Sequence, residues 1–176
     1  MKIKTIVMAM GLALTSHMAA ATNQADQGHG TIHFHGTIID APCSLDYDNA
    51  NQTVQLGNIS DSMLQGGGES ESKPFEINLI NCSATTKENV TTTWSGAKDP
   101  ELENALGITG NASGAGIMLK AGDGTPVTLG QPTPKQKLGN GNVIMMSAYL
   151  KGHEGSSSTI VPGTFDGAAD FIVSYE

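Results

Sequence analysis

A chain of 176 residues is one domain's worth of sequence, and 22 glycines with only 5% aromatic residues suit many short strands joined by turns. Nine lysines and 17 acidic residues give a formal charge of −8, and setting aside Lys2 and Lys4 leaves 7 against 17, or −10. Such a surface repels phosphate, which excludes a nucleic-acid binder and argues against docking to an anionic membrane.

The chain opens on a positive start at Lys2 and Lys4, an apolar run from Ile6 to Leu14, and the small-residue signal Ala19-Ala20-Ala21. The run is too short to span a bilayer, so residues 1–21 are expected to be a secretory signal peptide. No second apolar run follows, and no membrane anchor is expected. Thr22 to His29 is polar and aperiodic and reads as a disordered arm.

Gly30 to Asp40 reads as the opening strand. Gly28, Gly30, Ile32, Phe34 and Gly36 share one side, and His33 and His35 share the other. Two large apolar groups flanked by glycines suit a groove with both deep pockets and tight places, although periodicity alone favours pairing within the strand's own domain. Cys43 and Cys82 are the only cysteines, and an exported chain with an even number is expected to join them.

Thr53 to Leu56 reads as a second short strand, and the glycine-rich stretch from Asp61 to Lys73 as a surface loop. Phe75, Ile77 and Leu79 alternate cleanly toward Cys82, and Val90 to Trp94 forms another strand. Ala97 to Gly114 is turn-rich, with a short helical turn expected at Glu101 to Leu106. Ile117 to Lys120 turns at Gly122-Asp123-Gly124 and returns at Val127 to Leu129. Val143 to Leu150 is a strong strand, with at least one of Met145 and Met146 in the core. After a loop from Gly155 to Thr159, the strand Gly167 to Glu176 sets Phe171, Val173 and Tyr175 against Ile172 and Ser174. About seven such strands imply an all-β protein, an antiparallel sandwich.

Chemical motifs are thin. His33 and His35 on one strand face are similar to an element of the copper–zinc superoxide dismutases, but only four histidines lie beyond residue 21 and no carboxylate is placed beside the pair. Gly66-Gly67-Gly68 lacks the lysine and strand-to-helix context of a phosphate loop. Asp123-Gly124 lacks calcium-loop spacing. No nucleophile–base set or carboxylate pair stands out, so neither catalysis nor a cofactor is expected. Five N-x-[ST] sequons (Asn51, Asn58, Asn81, Asn89, Asn111) fit the chain's Asn- and Thr-rich composition and are expected bare in a bacterium.

The run from Gly30 to Cys43, GTIHFHGTIIDAPC, resembles the start of major pilins of the chaperone–usher family, above all the P-pilus and type 1 rod subunits. So do Gln52 to Gly57, Phe75 to Cys82 and the ending Phe171 to Glu176 with its penultimate Tyr175. Gly163 stands 14th from the last residue, where that family carries a glycine in its chaperone-recognition motif. The resemblance implies an immunoglobulin-like sandwich that lacks its last strand, in a domain of residues 36–176. It implies that residues 22–35 donate a strand to a neighbour, with Ile32 and Phe34 as plugs and Gly28, Gly30 and Gly36 at the shallow places. Gly163, Phe171, Val173 and Tyr175 are then the acceptor and chaperone-recognition side. The implied partners are a periplasmic chaperone, an outer-membrane usher and further copies of the chain. The implied location is a cell-surface fimbrium, and the implied role is structural, with support for adhesion. A minor or adaptor subunit and, from another class, a secreted metal-binding sandwich are the alternatives. A tip adhesin needs a further lectin domain, for which 155 residues leave no room.

Overall fold

The computed structural model describes residues 28–83, 89–138, 141–155 and 159–176. The proposed signal peptide and the first part of the arm lie outside them. The chain divides into two units, Met1–Ile38 and Ile39–Glu176. The first is described from Gly28 onward.

Among the described residues of the second unit ten strands follow one another. They are β1 Ser44–Leu45, β2 Lys73–Ile80, β3 Asn89–Ser95, β4 Leu106–Gly107 and β5 Thr109–Gly110. The rest are β6 Ala115–Ala121, β7 Gln136–Lys137, β8 Val143–Gly152, β9 Phe165–Asp166 and β10 Asp170–Tyr175. One sheet has the order β1-β2-β8-β6-β4, a second has β10-β3-β7, and β5 with β9 forms a short third ladder. Every ladder is antiparallel.

Alternation sets which side chains fill the interior. Ile77 and Leu79 of β2, Ile144, Met146, Ala148 and Leu150 of β8, and Ile117 and Leu119 of β6 point into one core. Val90 and Trp94 of β3 meet them from the second sheet, with Phe171, Val173 and Tyr175 of β10 packed at the margin. The Phe75 and Trp94 rings bridge the sheets edge to face, centroids 5.9 Å apart. Of the two neighbouring methionines, Met146 is core and Met145 faces outward. The turn after β6 places Asp123, whose carboxylate accepts the Thr125 N–H at 2.9 Å.

Four local expectations are corrected. Residues 30–40 carry no strand assignment, and the first ladder begins only at Ser44. Thr53 to Leu56 is extended chain with no ladder partner, though Val54 and Leu56 are half-buried. The stretch expected as a loop begins with a helical turn, Asp61–Leu64, because Leu64 is an apolar anchor only 4% exposed. Glu101 to Leu106 is turn and then strand β4, not helix, since the Lys98–Leu106 bridge draws Leu106 into a ladder.

Beyond β8 the chain buries a polar pair. Nε2 of His153 lies 3.0 Å from Oδ2 of Asp99, and its Nδ1 lies 3.4 Å from Oε2 of Glu101. Oδ1 of Asp99 also accepts the N–H groups of Glu101 and Leu102 at 2.9 and 2.8 Å. Burial alone would raise the Asp99 pKa, but the His153 hydrogen bond and the two N–H donors outweigh it and hold the carboxyl below its usual range. A depressed carboxyl pKa stabilises the fold above the unfolded-state value, near 4, and the gain is lost as pH falls through the native value. Asp99→Ala should therefore lower stability by about 2–4 kcal/mol at neutral pH and flatten the loss of stability in acid. Guanidinium unfolding midpoints measured across pH check both effects.

Candidate functional site: an open groove beside the last strand

β10 pairs with β3 along its whole length, from Asp170 opposite Ser95 to Tyr175 opposite Val90. Among the described residues its other edge closes no ladder. Such an edge offers a row of N–H and C=O groups to any strand that can reach it. Phe171, Val173 and Tyr175 turn inward and are half-buried, and Asp170, Ile172 and Ser174 turn outward.

Across from this edge runs segment 50–58, the end of a helical turn followed by chain with no strand assignment. Between the two banks lies a groove of about 590 Å³ whose floor is formed by Phe75, Ile77, Trp94, Leu106, Ile117 and Ala148. A second hollow of about 390 Å³ continues it, floored by Leu64, Ala115 and Leu150 with Ile108, Ile160 and Phe165. The two share Gly57, Asn58, Gly163 and Phe165, so one cleft follows both banks. Its floor is the hydrophobic core itself, because the place where a covering strand belongs is open.

The banks are tied down locally. Gln52 Nε2 donates to the Glu76 carbonyl at 2.8 Å, and the Asn78 N–H donates to Asn49 Oδ1 at 3.0 Å. The Cys43–Cys82 disulfide closes the loop that carries this bank, and the Ser83 N–H donates to the Pro42 carbonyl at 2.9 Å beside it. On the opposite bank, Asn111 and Ala112 donate their N–H groups to the Thr164 carbonyl at 3.0 and 3.1 Å. A side chain at Gly163 would bring its Cβ within 2.8 Å of the Ala112 nitrogen and the Asn111 carbonyl carbon. Gly163 is thus the position at which this bank lies flat on its support. Gly163→Val should cost about 1–3 kcal/mol by forcing the contact apart, read as a lowered thermal midpoint.

Trp94, the chain's single tryptophan, sits in the floor. Its indole N–H donates to Thr92 Oγ1 at 2.9 Å, and its ring lies 5.2 Å from Phe171, tilted by 35°. Burial raises the pKa of Tyr175 at the far end of the edge.

The described part of the first unit has the opposite character. Ile32, Phe34 and Ile38 are 76%, 92% and 102% exposed. Single exposed apolar residues are ordinary, and here three fall in one short segment. A Cβ built on Gly28, Gly30 or Gly36 meets nothing within 4 Å, so among the described residues no neighbour explains glycine at these positions. Among the described residues no cluster of three or more His, Cys, Asp or Glu is placed to hold a metal, and His33 and His35 gain no third ligand. Nor is any described helix long and apolar enough to cross a membrane.

A family model described as fimbrial protein matches residues 32–176. The chain is 42% identical over 177 residues to the fimbria A protein of Serratia marcescens, covering 100% of both chains. It is 43% identical over 178 residues to the major MR/P fimbria protein of Proteus mirabilis, again covering 100% of both. Among solved structures it is similar to the P pilus rod subunit PapA, with TM-score 0.67 and 26% identity over 77% of this chain and 100% of that one. A chaperone–usher pilus structure that addresses rod uncoiling matches with TM-score 0.69 and 28% identity, covering 85% of this chain and 97% of that one.

Proposed function

The chain belongs to the fimbrial protein family, and we propose that it is the major structural subunit of a surface fimbria that polymerises head to tail by donating its N-terminal arm to the groove of the next copy. The fold is the family's immunoglobulin-like sandwich, and the family is one of structural subunits rather than enzymes. The observation that carries the proposal is the open groove, an unpaired β10 edge above a floor of core residues. Strand addition to an exposed sheet edge is an established recognition mode, and chaperone–pilin complementation is a standing example of it.

In this reading Ile32 and Phe34 fill the deep part of the groove, while Gly28, Gly30 and Gly36 let the donated backbone pass where its floor rises. The acceptor face is Phe171, Val173 and Tyr175 with Gly163 at the junction of the two hollows. One repeated heterologous contact that does not close on itself gives an open filament. Before a neighbour arrives, the same edge is exposed to aggregation, which is why a periplasmic chaperone and an outer-membrane usher are the expected partners during export. Residues 1–21 serve that export as the signal peptide, residues 22–35 are the donor arm, and residues 36–176 are the acceptor domain. Adhesion is supported by the filament rather than by this domain alone.

Sheared surface filaments run on a denaturing gel without heating should give a ladder of subunit multiples that collapses to monomer on heating. A single monomer band in both lanes overturns strand donation. Filling the groove should also change the emission of Trp94, because an arm laid on the floor adds side chains beside a ring that lines it.

A further inference from the structure

Resting on strand donation as the mode of assembly, we propose that the joint is strengthened by protonated histidines of the arm paired with two aspartates on the acceptor edge, Asp166 and Asp170. The argument is one of phase. On the arm, Ile32 and Phe34 take the groove side, so His33 and His35, with His29 in the same phase, face outward. On the acceptor side, Phe165 of β9 and Phe171 of β10 are half-buried and border the groove, while Asp166 and Asp170, the neighbouring residues in the other phase, are exposed, with Asp166 at the groove's rim. Outward side chains of adjacent strands are neighbours, with directly opposed Cβ atoms about 4.5–5.5 Å apart.

Because a strand keeps its apolar face in the groove, its register can shift only in steps of two. In an antiparallel joint, placing His33 opposite position 166, 168, 170 or 172 brings into direct opposition His33–Asp166, His35–Asp166, His33–Asp170 and His35–Asp170 in turn. A parallel joint gives the same four pairs with His33 opposite 164 to 170. The histidines are two apart and the aspartates four apart, so neighbouring in-phase registers all produce a pair in either direction.

No competing charge lies on the flanking strands. β3 and β5 carry no ionisable side chain, and neither does the opposite bank from Asn51 to Ser60. Among the described residues Asp166 and Asp170 take part in no ion pair. The next charges are Asp26 on the arm, Asp40 after it, Lys98 three residues past Ser95, the ladder partner of Asp170, Asp61 beyond the far bank, and Glu176 paired with Lys135 at 2.5 Å at the end of β10.

The direction follows from the histidine side. A histidine that gains an aspartate neighbour has its pKa raised, so its contribution is complete below its ordinary value, near 6.5, and lost as pH rises through the raised value. The joint is therefore tighter in mild acid.

The test follows the loss of the subunit ladder with time in guanidinium, with EDTA present to remove metal bridges, at about pH 5.5 and pH 8. Wild-type filaments should dissociate about two- to fivefold more slowly at the lower pH. The triple change His29→Gln, His33→Gln and His35→Gln should still polymerise and should lose that ratio. Asp166→Asn with Asp170→Asn should lose it from the other side, which separates the joint from the Asp99–His153 pair retained in both variants. The inference is overturned if wild type shows no pH ratio, dissociates faster in acid, or shares its ratio with either variant. Absence of a ladder at every pH instead removes strand donation, and this inference with it.

Discussion

Phe34→Asp leaves the subunit folded and abolishes the ladder. Phe34 is 92% exposed in the first unit, so no packing within the sandwich of Ile39–Glu176 depends on it, and the far-ultraviolet spectrum and thermal midpoint of the monomer should be unchanged. At the joint the same position meets a floor of phenylalanine, tryptophan and aliphatic side chains. Losing the ring's burial removes about 1.5–3 kcal/mol. Placing a carboxylate in an apolar groove costs several kcal/mol more, because no cation lines the floor to pair with it. Together these weaken the joint by at least about three orders of magnitude. Phe34→Leu, which keeps an apolar plug, should retain polymer. A persistent ladder in Phe34→Asp would place the arm outside the groove.

The second large effect concerns the acceptor. Replacing Cys43 and Cys82 by serine opens a loop of 39 residues, for which the chain-entropy model gives about 4 kcal/mol of lost stability. That is a large share of what a domain of this size has in total. The damage is also local, since the loop contains the bank from Ala50 to Asn58 and strand β2, whose Phe75 and Ile77 floor the groove. Once the bridge is gone, that bank is anchored mainly by the Gln52–Glu76 and Asn49–Asn78 hydrogen bonds. The expected result is a large drop in the guanidinium midpoint and little subunit recovered in filaments. A loss below about 1 kcal/mol would mean that the reduced chain is already ordered there.

Sequence alternation located the strands whose partners lie within the same chain. The faces of β2, β3, β8 and β10 follow from Phe75-Ile77-Leu79, Val90 and Trp94, Ile144-Met146-Ala148, and Phe171-Val173-Tyr175. The same signal over-read residues 30–40 and 53–56. Alternation reports which side chains want burial, and it carries no information on whether a hydrogen-bonding partner is present. Val54 and Leu56 do turn inward, yet their segment borders the open groove and forms no ladder. The helical turn at Asp61–Leu64 escaped because one anchor, Leu64, makes no period. The Asp99–His153 pair escaped because polar partners 54 positions apart leave no local pattern. The acceptor residues were legible as an alternating face, whereas the groove's floor, drawn from β2, β3, β4, β6 and β8, exists only once the chain has folded.

Because that floor is also the core, Phe75, Trp94 and Ile117 are subject to two selections at once. In the proposed assembly each must fit its neighbours in the sandwich and also leave a surface shaped for another copy's arm. A substitution that improves the first fit by filling the groove spoils the second, so adaptive change is steered away from these positions. It is free to accumulate at exposed positions away from the groove, such as Glu103 and Gln131, where neither fit is at stake. In the proposed filament the coat can then change while the joints stay the same.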